Sequence, residues 1–209
     1  MSTVLTSLII GFLSLDTTVA FQVLVSQPIF SCPLLGWLLG DLAAGFEMGL
    51  LMQLLWLGII PAGARKYPEG NLASMVACVL VIQSGGENFP NLVFLLALLV
   101  ALLVSYLGAT LTVLDRRLNG LFFELARRAA EHGQLKLILA LDVFSVALYL
   151  GLMSLLALAS LLFGGWAIEQ ALALMPGFLE AKLALLKPAV LGIGTGFMAR
   201  HFYLSWKRK

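Results

Sequence analysis

Apolar residues run along this chain in long blocks broken by few charges, instead of alternating with polar positions. Uncharged windows longer than the ~20 residues that a helix needs to cross a bilayer cover positions 17–40, 88–114 and 143–168. Shorter uncharged windows at 48–64 and 70–86, and a stretch at 183–206 that carries Lys187 and Arg200, leave the crossing count to charge placement. Cytoplasmic loops collect Lys and Arg whereas translocated loops do not. With crossings at 3–25, 71–83, 91–114, 137–163 and 183–206, and a hairpin at 28–63 that dips in and returns, only Lys182 and Lys187 of the 13 basic residues fall outside. The pattern predicts one all-α, polytopic membrane domain over 1–209, with about five transmembrane helices plus a Gly/Pro-broken re-entrant hairpin. Its N-terminus is expected outside and its C-terminus in the cytoplasm. No Lys or Arg precedes Arg65 and no small-residue cleavage site is evident, so a cleaved signal peptide is not expected.

Composition narrows the function classes. The chain is 61% hydrophobic and 11% charged, with a mean hydropathy of +1.00, against roughly a quarter charged in a soluble domain. That excludes a soluble enzyme and a disordered chain. A net charge of +2 gives no electrostatic case for nucleic acid. Cys32 and Cys78 lie in apolar sequence without CxxC or Cys/His spacing and read as small buried hydrophobes. One stretch, 115–136, is amphipathic, with Leu118, Leu121, Phe122, Leu125 and Ala129 on one face and Arg117, Glu124, Arg128 and Glu131 opposite. It is expected to lie flat on the inner surface, either as a solvated connector or as a docking face for a cytoplasmic partner.

The segment 27–74 is the most informative. Pro28, Pro33, Gly36, Gly40, Gly45, Gly49, Gly58, Pro61 and Gly63 interrupt apolar sequence there. Two readings stand. Broken helices expose backbone groups that must face protein or water, which is how transporters build midplane binding sites. Alternatively, the glycines let helices pack closely. Asp41, Glu47 and Gln53 in the same segment tip the balance toward a polar pocket. Ionisable groups at membrane depth need a partner or a task. Asp16, Asp41, Glu47 and Asp142 are such groups; the hydroxyls of Thr17 and Thr18 are available to Asp16, and Asp142 sits near an interface. His132 and His201 fall at cytoplasmic positions, with no nucleophile–base arrangement, metal-ligand spacing or phosphate-cradling glycine loop nearby. No catalytic residue, metal or cofactor is expected.

The same segment resembles the IIC subunit of the mannose/fructose/sorbose family of phosphotransferase-system (PTS) sugar permeases. The resemblance is carried by Pro28, Gly36, Leu39, Gly40, Asp41, Gly45 and Gly49, and onward by Gly58, Gly63, Ala64, Pro68, Glu69, Leu72, Ala73 and Ser74, with the spacing kept without a gap. Residues 126–138 resemble the family's Ala-rich cytoplasmic segment. Met175 and Pro176, followed by Gly192, Gly194 and Gly196, resemble its later portion.

Membership implies a bacterial inner-membrane permease subunit that assembles with a IID membrane subunit, receives phosphate through cytoplasmic IIA and IIB components, and releases sugar phosphate inside. The phosphorylated histidines of such systems belong to IIA and IIB. The expected site holds a sugar on Asp41, Gln53, Glu69 and Asn71, whose carboxylates and amides suit the hydroxyls of a neutral ligand. A homo-oligomer stays open. Gln53 stands where the family has glutamate, and Pro61 where it has a polar residue. Usual members are also several tens of residues longer. These departures keep other readings alive: a sugar-binding or regulatory PTS-like subunit that does not transport, a small-molecule-binding importer module, or a structural assembly factor.

Overall fold

The computed structural model describes residues 1–58, 66–84, 88–174 and 176–207, and every regular element among them is a helix. In chain order they are α1 (Thr3–Thr18), α2 (Pro28–Leu39), α3 (Leu42–Trp56), α4 (Gly70–Gln83), α5 (Pro90–Glu131), α6 (Leu135–Leu174), α7 (Phe178–Lys182) and α8 (Leu186–Lys207). A 3-10 turn at Leu183–Leu185 joins the last two. Pro61, Gly63, Ala64, Arg65, Met175, Arg208 and Lys209 lie outside the described residues.

Helices α5 and α6 form the frame. Their 42 and 40 residues give lengths of about 63 and 60 Å at 1.5 Å per residue, twice the ~30 Å hydrocarbon core of a bilayer. They turn back on each other at Gly133, which adopts φ 67°. They also stay in register far from the turn. Ser145 donates to the Asn119 side chain at 2.8 Å, Phe122 and Phe144 meet edge to face at 5.4 Å, and Val100 lies beside Gly164.

The stretch 115–131 is therefore the continuation of α5, and not the separate, flat-lying helix that its amphipathic pattern suggests. No proline separates it from the apolar half, and α6 packs along it. Its charged face is laced by Arg127, which pairs with Glu124 at 2.8 Å and with Glu131 at 2.6 Å. Exposed pairs of this kind contribute little to stability.

Among the described residues, three helical stretches are long and apolar enough to cross a membrane: α5, α6 and Phe178–Leu204. Helices α1 and α4, read from the sequence as crossings, have 16 and 14 residues, or about 24 and 21 Å. Helix α1 stops at Thr18 instead of running on to position 25, because the chain enters a loop in which Phe21, Gln22 and Leu24 all take positive φ. Helix α4 is the centre of the bundle. It touches α1, α2, α3, α5 and α6, and every residue from Leu72 to Leu80 is buried, as a helix apolar on all sides requires.

Helices α2 and α3 pair as a hairpin of two short apolar rods, with Gly40 in the left-handed conformation at its tip. A Cβ on Gly45 would stand 2.7 Å from the Cys32 carbonyl oxygen, and one on Gly49 would stand 2.7 Å from that of Pro28. Gly36 faces the Gly45 backbone in the same way, 2.8 Å from its Cα. For these three glycines close packing is the observed role. Cys32 and Cys78 are free and buried between the hairpin and α4.

Helix α1 is fastened to α6 by the same device. Gly11 lies on the backbone of Ser154, whose N and Cα are 2.9 and 3.0 Å from where a Cβ would be, whereas Gly151, one turn away, has open space. Gly11→Val is expected to destabilise the detergent-solubilised protein by about 1–3 kcal/mol, as over-packing does, and Gly151→Ala to leave it unchanged. Thermal unfolding of the two variants checks this; equal melting midpoints would contradict the contact.

Candidate functional site

The break between α3 and α4 is where chemistry gathers. At 66–69, just ahead of α4, the backbone is outside any helix, and α5 takes it up: Glu69 N–H donates to the Ser105 carbonyl at 3.0 Å, and Thr112 donates to the Glu69 carboxylate at 2.6 Å. Gly108 makes this possible, since a Cβ there would sit 2.8 Å from that of Glu69. Glu69 is consequently 2% exposed.

Two other breaks converge on the same place. Asp16, at the end of α1, accepts from the backbone N–H of Val23 at 2.6 Å and of Ser26 at 2.9 Å. The Asn71 amide donates to Thr17 at 3.3 Å and to Ser26 Oγ at 3.1 Å. Gln53 accepts from Ile29 N–H at 3.2 Å, at the start of α2, and donates to the Gln27 side chain at 3.1 Å. Between these groups lies a polar cavity of about 30 Å³ lined by Thr17, Gln27, Trp56, Tyr67, Glu69 and Asn71.

The lining combines a carboxylate that only accepts, amides that donate and accept, and an indole with an apolar face and one donor. Trp56 packs its ring on Gly70, 2.6 Å from where a Cβ would be, and its buried Nε1 has no hydrogen-bond partner among the described residues. The Arg116 guanidinium lies over the Tyr67 ring at 5.4 Å. Such a set has the donors and acceptors to pair with hydroxyl groups. At about 30 Å³ the cavity holds a water or two, so this conformation is closed to a ligand of sugar size. A larger groove of about 570 Å³ between α3 and α8 is mostly apolar, lined by Leu54, Leu57, Phe197, Met198 and Phe202, with Arg200 at its edge.

Of the four residues expected to bind sugar, the structure brings Glu69 and Asn71 together on this cavity. Gln53 stands behind it, reaching the lining only through Gln27. Asp41 is elsewhere: it caps α3 by accepting from Ala44 N–H at 2.9 Å and is exposed at the hairpin tip, a helix length of about 22 Å from the Trp56 end. Glu47 is paired with Lys187 of α8 at 2.8 Å on the bundle surface, so it does not join a pocket with Asp41 and Gln53. Asp16 takes backbone N–H groups and not the neighbouring threonine hydroxyls. Asp142 is exposed on α6. Thr17, Gln27, Trp56 and Tyr67 were not legible as site residues, because each is an unremarkable polar or aromatic position until three separate breaks are superposed.

The family model described as the PTS system sorbose-specific IIC component matches residues 1–202. The chain belongs to that family. Its relatives include the PTS system sorbose-specific EIIC component of Klebsiella pneumoniae, 27% identical over 175 residues that cover 83% of this chain and 64% of that protein. The mannose-specific EIIC component of Escherichia coli K12 is 30% identical over 58% of this chain and 44% of its own length. The fructose permease IIC component of Bacillus subtilis is 30% identical over 53% and 39%. This IIC chain thus spans at most 64% of the length of these three relatives. Two solved structures share its fold. One, described as a membrane protein, has a TM-score of 0.71 at 24% identity and covers 98% of this chain and 83% of its own. The other, from the mannose transporter ManYZ in complex with microcin E492, has a TM-score of 0.65 at 23% identity, covering 98% and 82%. Family and apolar helices together define a multi-pass inner-membrane protein.

The glutamate that the family resemblance implies at position 53 would be accommodated here. A carboxylate would still accept from Ile29 N–H, and Gln27 would donate to it by turning its amide. Gln53→Glu is therefore expected to unfold in detergent at the wild-type temperature. Gln53→Leu strands the Ile29 N–H and should lose about 1–3 kcal/mol; an unchanged melting midpoint for the leucine variant would reduce Gln53 to a packing residue.

Proposed function

We propose that this chain is the IIC permease subunit of a mannose-class phosphotransferase system, and that it binds a hexose at the Glu69–Asn71 cavity during its passage inward. The observation that carries the reading is the convergence of Glu69, Asn71, Gln27, Tyr67 and the Trp56 indole on one polar cavity at a helix break. That donor and acceptor set suits the neutral, hydroxyl-rich sugars for which the sorbose, mannose and fructose relatives are named. Sites built to hydrogen-bond a hydroxyl reject analogues that lack it, because their buried groups are left unpaired.

Glu69 and Asn71 make the direct contacts in this reading, Gln53 acts through Gln27, and Asp41 stands on the entry side at the hairpin tip. Orientation follows from charge. Lys182 and Lys187 lie near the N-terminal end of α5, against Phe178 and Phe94. Lys66 and Arg116 lie deeper along it, against Tyr106 and Tyr67. The far, arginine-rich end of α5 then faces the cytoplasm, with the N-terminus of the chain outside. The cavity must open to admit a sugar, which calls for displacement of Trp56 or of the breaks around it. A IID subunit supplies the other wall, and cytoplasmic IIA and IIB components deliver phosphate. With no phospho-acceptor expected on this chain, positioned groups on the partners stabilise the charge of phosphoryl transfer.

Reconstitution in liposomes tests this. With IID, IIA, IIB, the general phosphotransfer proteins and phosphoenolpyruvate, sugar phosphate accumulates, and Glu69→Gln lowers the initial rate about tenfold or more, the loss expected when a charged hydrogen-bond partner of the substrate is removed. The chain alone accumulates none. Robust uptake by the chain alone, or a full rate in Glu69→Gln, would contradict the reading.

A further inference from the structure

Asp16 is 6% exposed and spends both carboxylate oxygens on the loop that follows α1. One accepts from Val23 N–H at 2.6 Å and the other from Ser26 N–H at 2.9 Å. That loop is strained: Phe21, Gln22 and Leu24 take φ of 66°, 53° and 69°, a region that L-residues with a Cβ avoid. Little packing holds it there. Phe21, Val23 and Leu24 are 65%, 65% and 60% exposed; beyond Asp16, the loop is linked to α1 by a tilted ring contact between Phe12 and Phe21 at 5.8 Å and by the exposed Gln22 amide, which donates to the Thr18 carbonyl at 3.3 Å. Its own backbone adds Gln22 N–H to Ala20 at 2.9 Å and Gln27 N–H to Leu24 at 3.1 Å. Strained backbone persists where its surroundings over-determine it, and it concentrates at functional sites.

The loop ends in the two residues that shape the cavity. Ser26 Oγ accepts from the Asn71 amide at 3.1 Å, and Gln27 lines the cavity beside Glu69. We infer that Asp16 is a positioning residue for the sugar site: by holding Val23 and Ser26 it places Ser26 under Asn71 and turns Gln27 toward Glu69. The inference rests on the sugar-site reading above. Asp16 touches no ligand. It sets where Asn71 and Gln27 stand when one arrives, so its loss weakens binding without disassembling the bundle.

The test is isothermal titration calorimetry of the purified chain with its membrane partner, using L-sorbose, D-mannose and D-fructose as probes. Asp16→Asn keeps one acceptor and turns a donor toward the other N–H. It is expected to bind about tenfold more weakly, the effect of losing one charge-assisted hydrogen bond, while co-purifying with the partner as the wild type does. Leu24→Gly removes the steric penalty of left-handed backbone at an exposed position, so the Asp16→Asn/Leu24→Gly double variant regains most of the lost affinity. Ser26→Ala, which cuts the link to Asn71 and leaves Asp16 intact, also binds more weakly. Binding that is abolished in Asn71→Ala but unchanged in Asp16→Asn and Ser26→Ala overturns the inference and leaves the sugar site standing. A loss in Asp16→Asn that Leu24→Gly does not recover also overturns it, since the carboxylate would then be only a structural support. A wild-type complex that binds none of the three sugars overturns the sugar-site reading and this inference together.

Discussion

Pairing the backbone where helices break is the constraint on which this fold depends. In lipid an unpaired N–H or C=O has no water to turn to, and this chain breaks its helices repeatedly. It answers with buried and half-buried side chains used as caps. Asp16 takes the N–H groups of Val23 and Ser26, Gln53 takes that of Ile29, and Glu180 takes those of Asn91 and Leu92 at 2.8 and 3.0 Å, where α5 begins. Glu69 works the other way, giving its N–H to α5 and receiving a hydroxyl from it. Hydrogen bonds to charged groups contribute about 1.5–3 kcal/mol each, and leaving such a carboxylate buried without them would cost more than they contribute.

The site is a by-product of that solution. Three breaks meet where α1 ends, α2 begins and α4 begins, and Asp16 and Gln53, which pair the backbone at two of them, stand behind the polar side chains that surround a common space. Glycines decide how tightly it closes: Gly108 lets Glu69 lie on α5, and Gly70 lets Trp56 lie over the α4 start. Elsewhere glycines serve packing alone, as Gly11 does against α6. A site built in this way couples its ligand to helix ends, because whatever bonds the Asn71 amide or the Gln27 side chain competes with Ser26 or Gln53. Binding and helix displacement are then parts of one event.

Much of this was legible in the sequence. The helical membrane class follows from uncharged windows longer than a bilayer is thick, and the expected segment 71–83 differs from α4 by one residue at its start. Resemblance in 27–74 reached the family, and two of the four residues expected to hold sugar, Glu69 and Asn71, line one cavity. What failed has physical causes. Helical periodicity does not say whether an amphipathic stretch lies flat or continues the helix before it, so 115–131 was separated from α5. Ionisable residues in apolar sequence announce that they need a partner but not which one: Glu47 found Lys187 across 140 positions, and Asp16 found backbone. Asp41 was grouped with Glu69 by motif, whereas α3 holds them at opposite ends.

The central claim is that the residues brought together at the broken helix ends, held there by the side chains that pair the backbone, are the groups that hold the sugar. The most direct measurement is a cryo-electron-microscopy map of the chain with its IID partner in lipid nanodiscs, saturated with the hexose that it binds. The account predicts sugar density within hydrogen-bonding distance of the Glu69 carboxylate and the Asn71 amide, with the Trp56 ring moved off Gly70. Sugar density at the Asp41 tip or in the α3–α8 groove, with the Glu69–Asn71 cavity still closed, would contradict it.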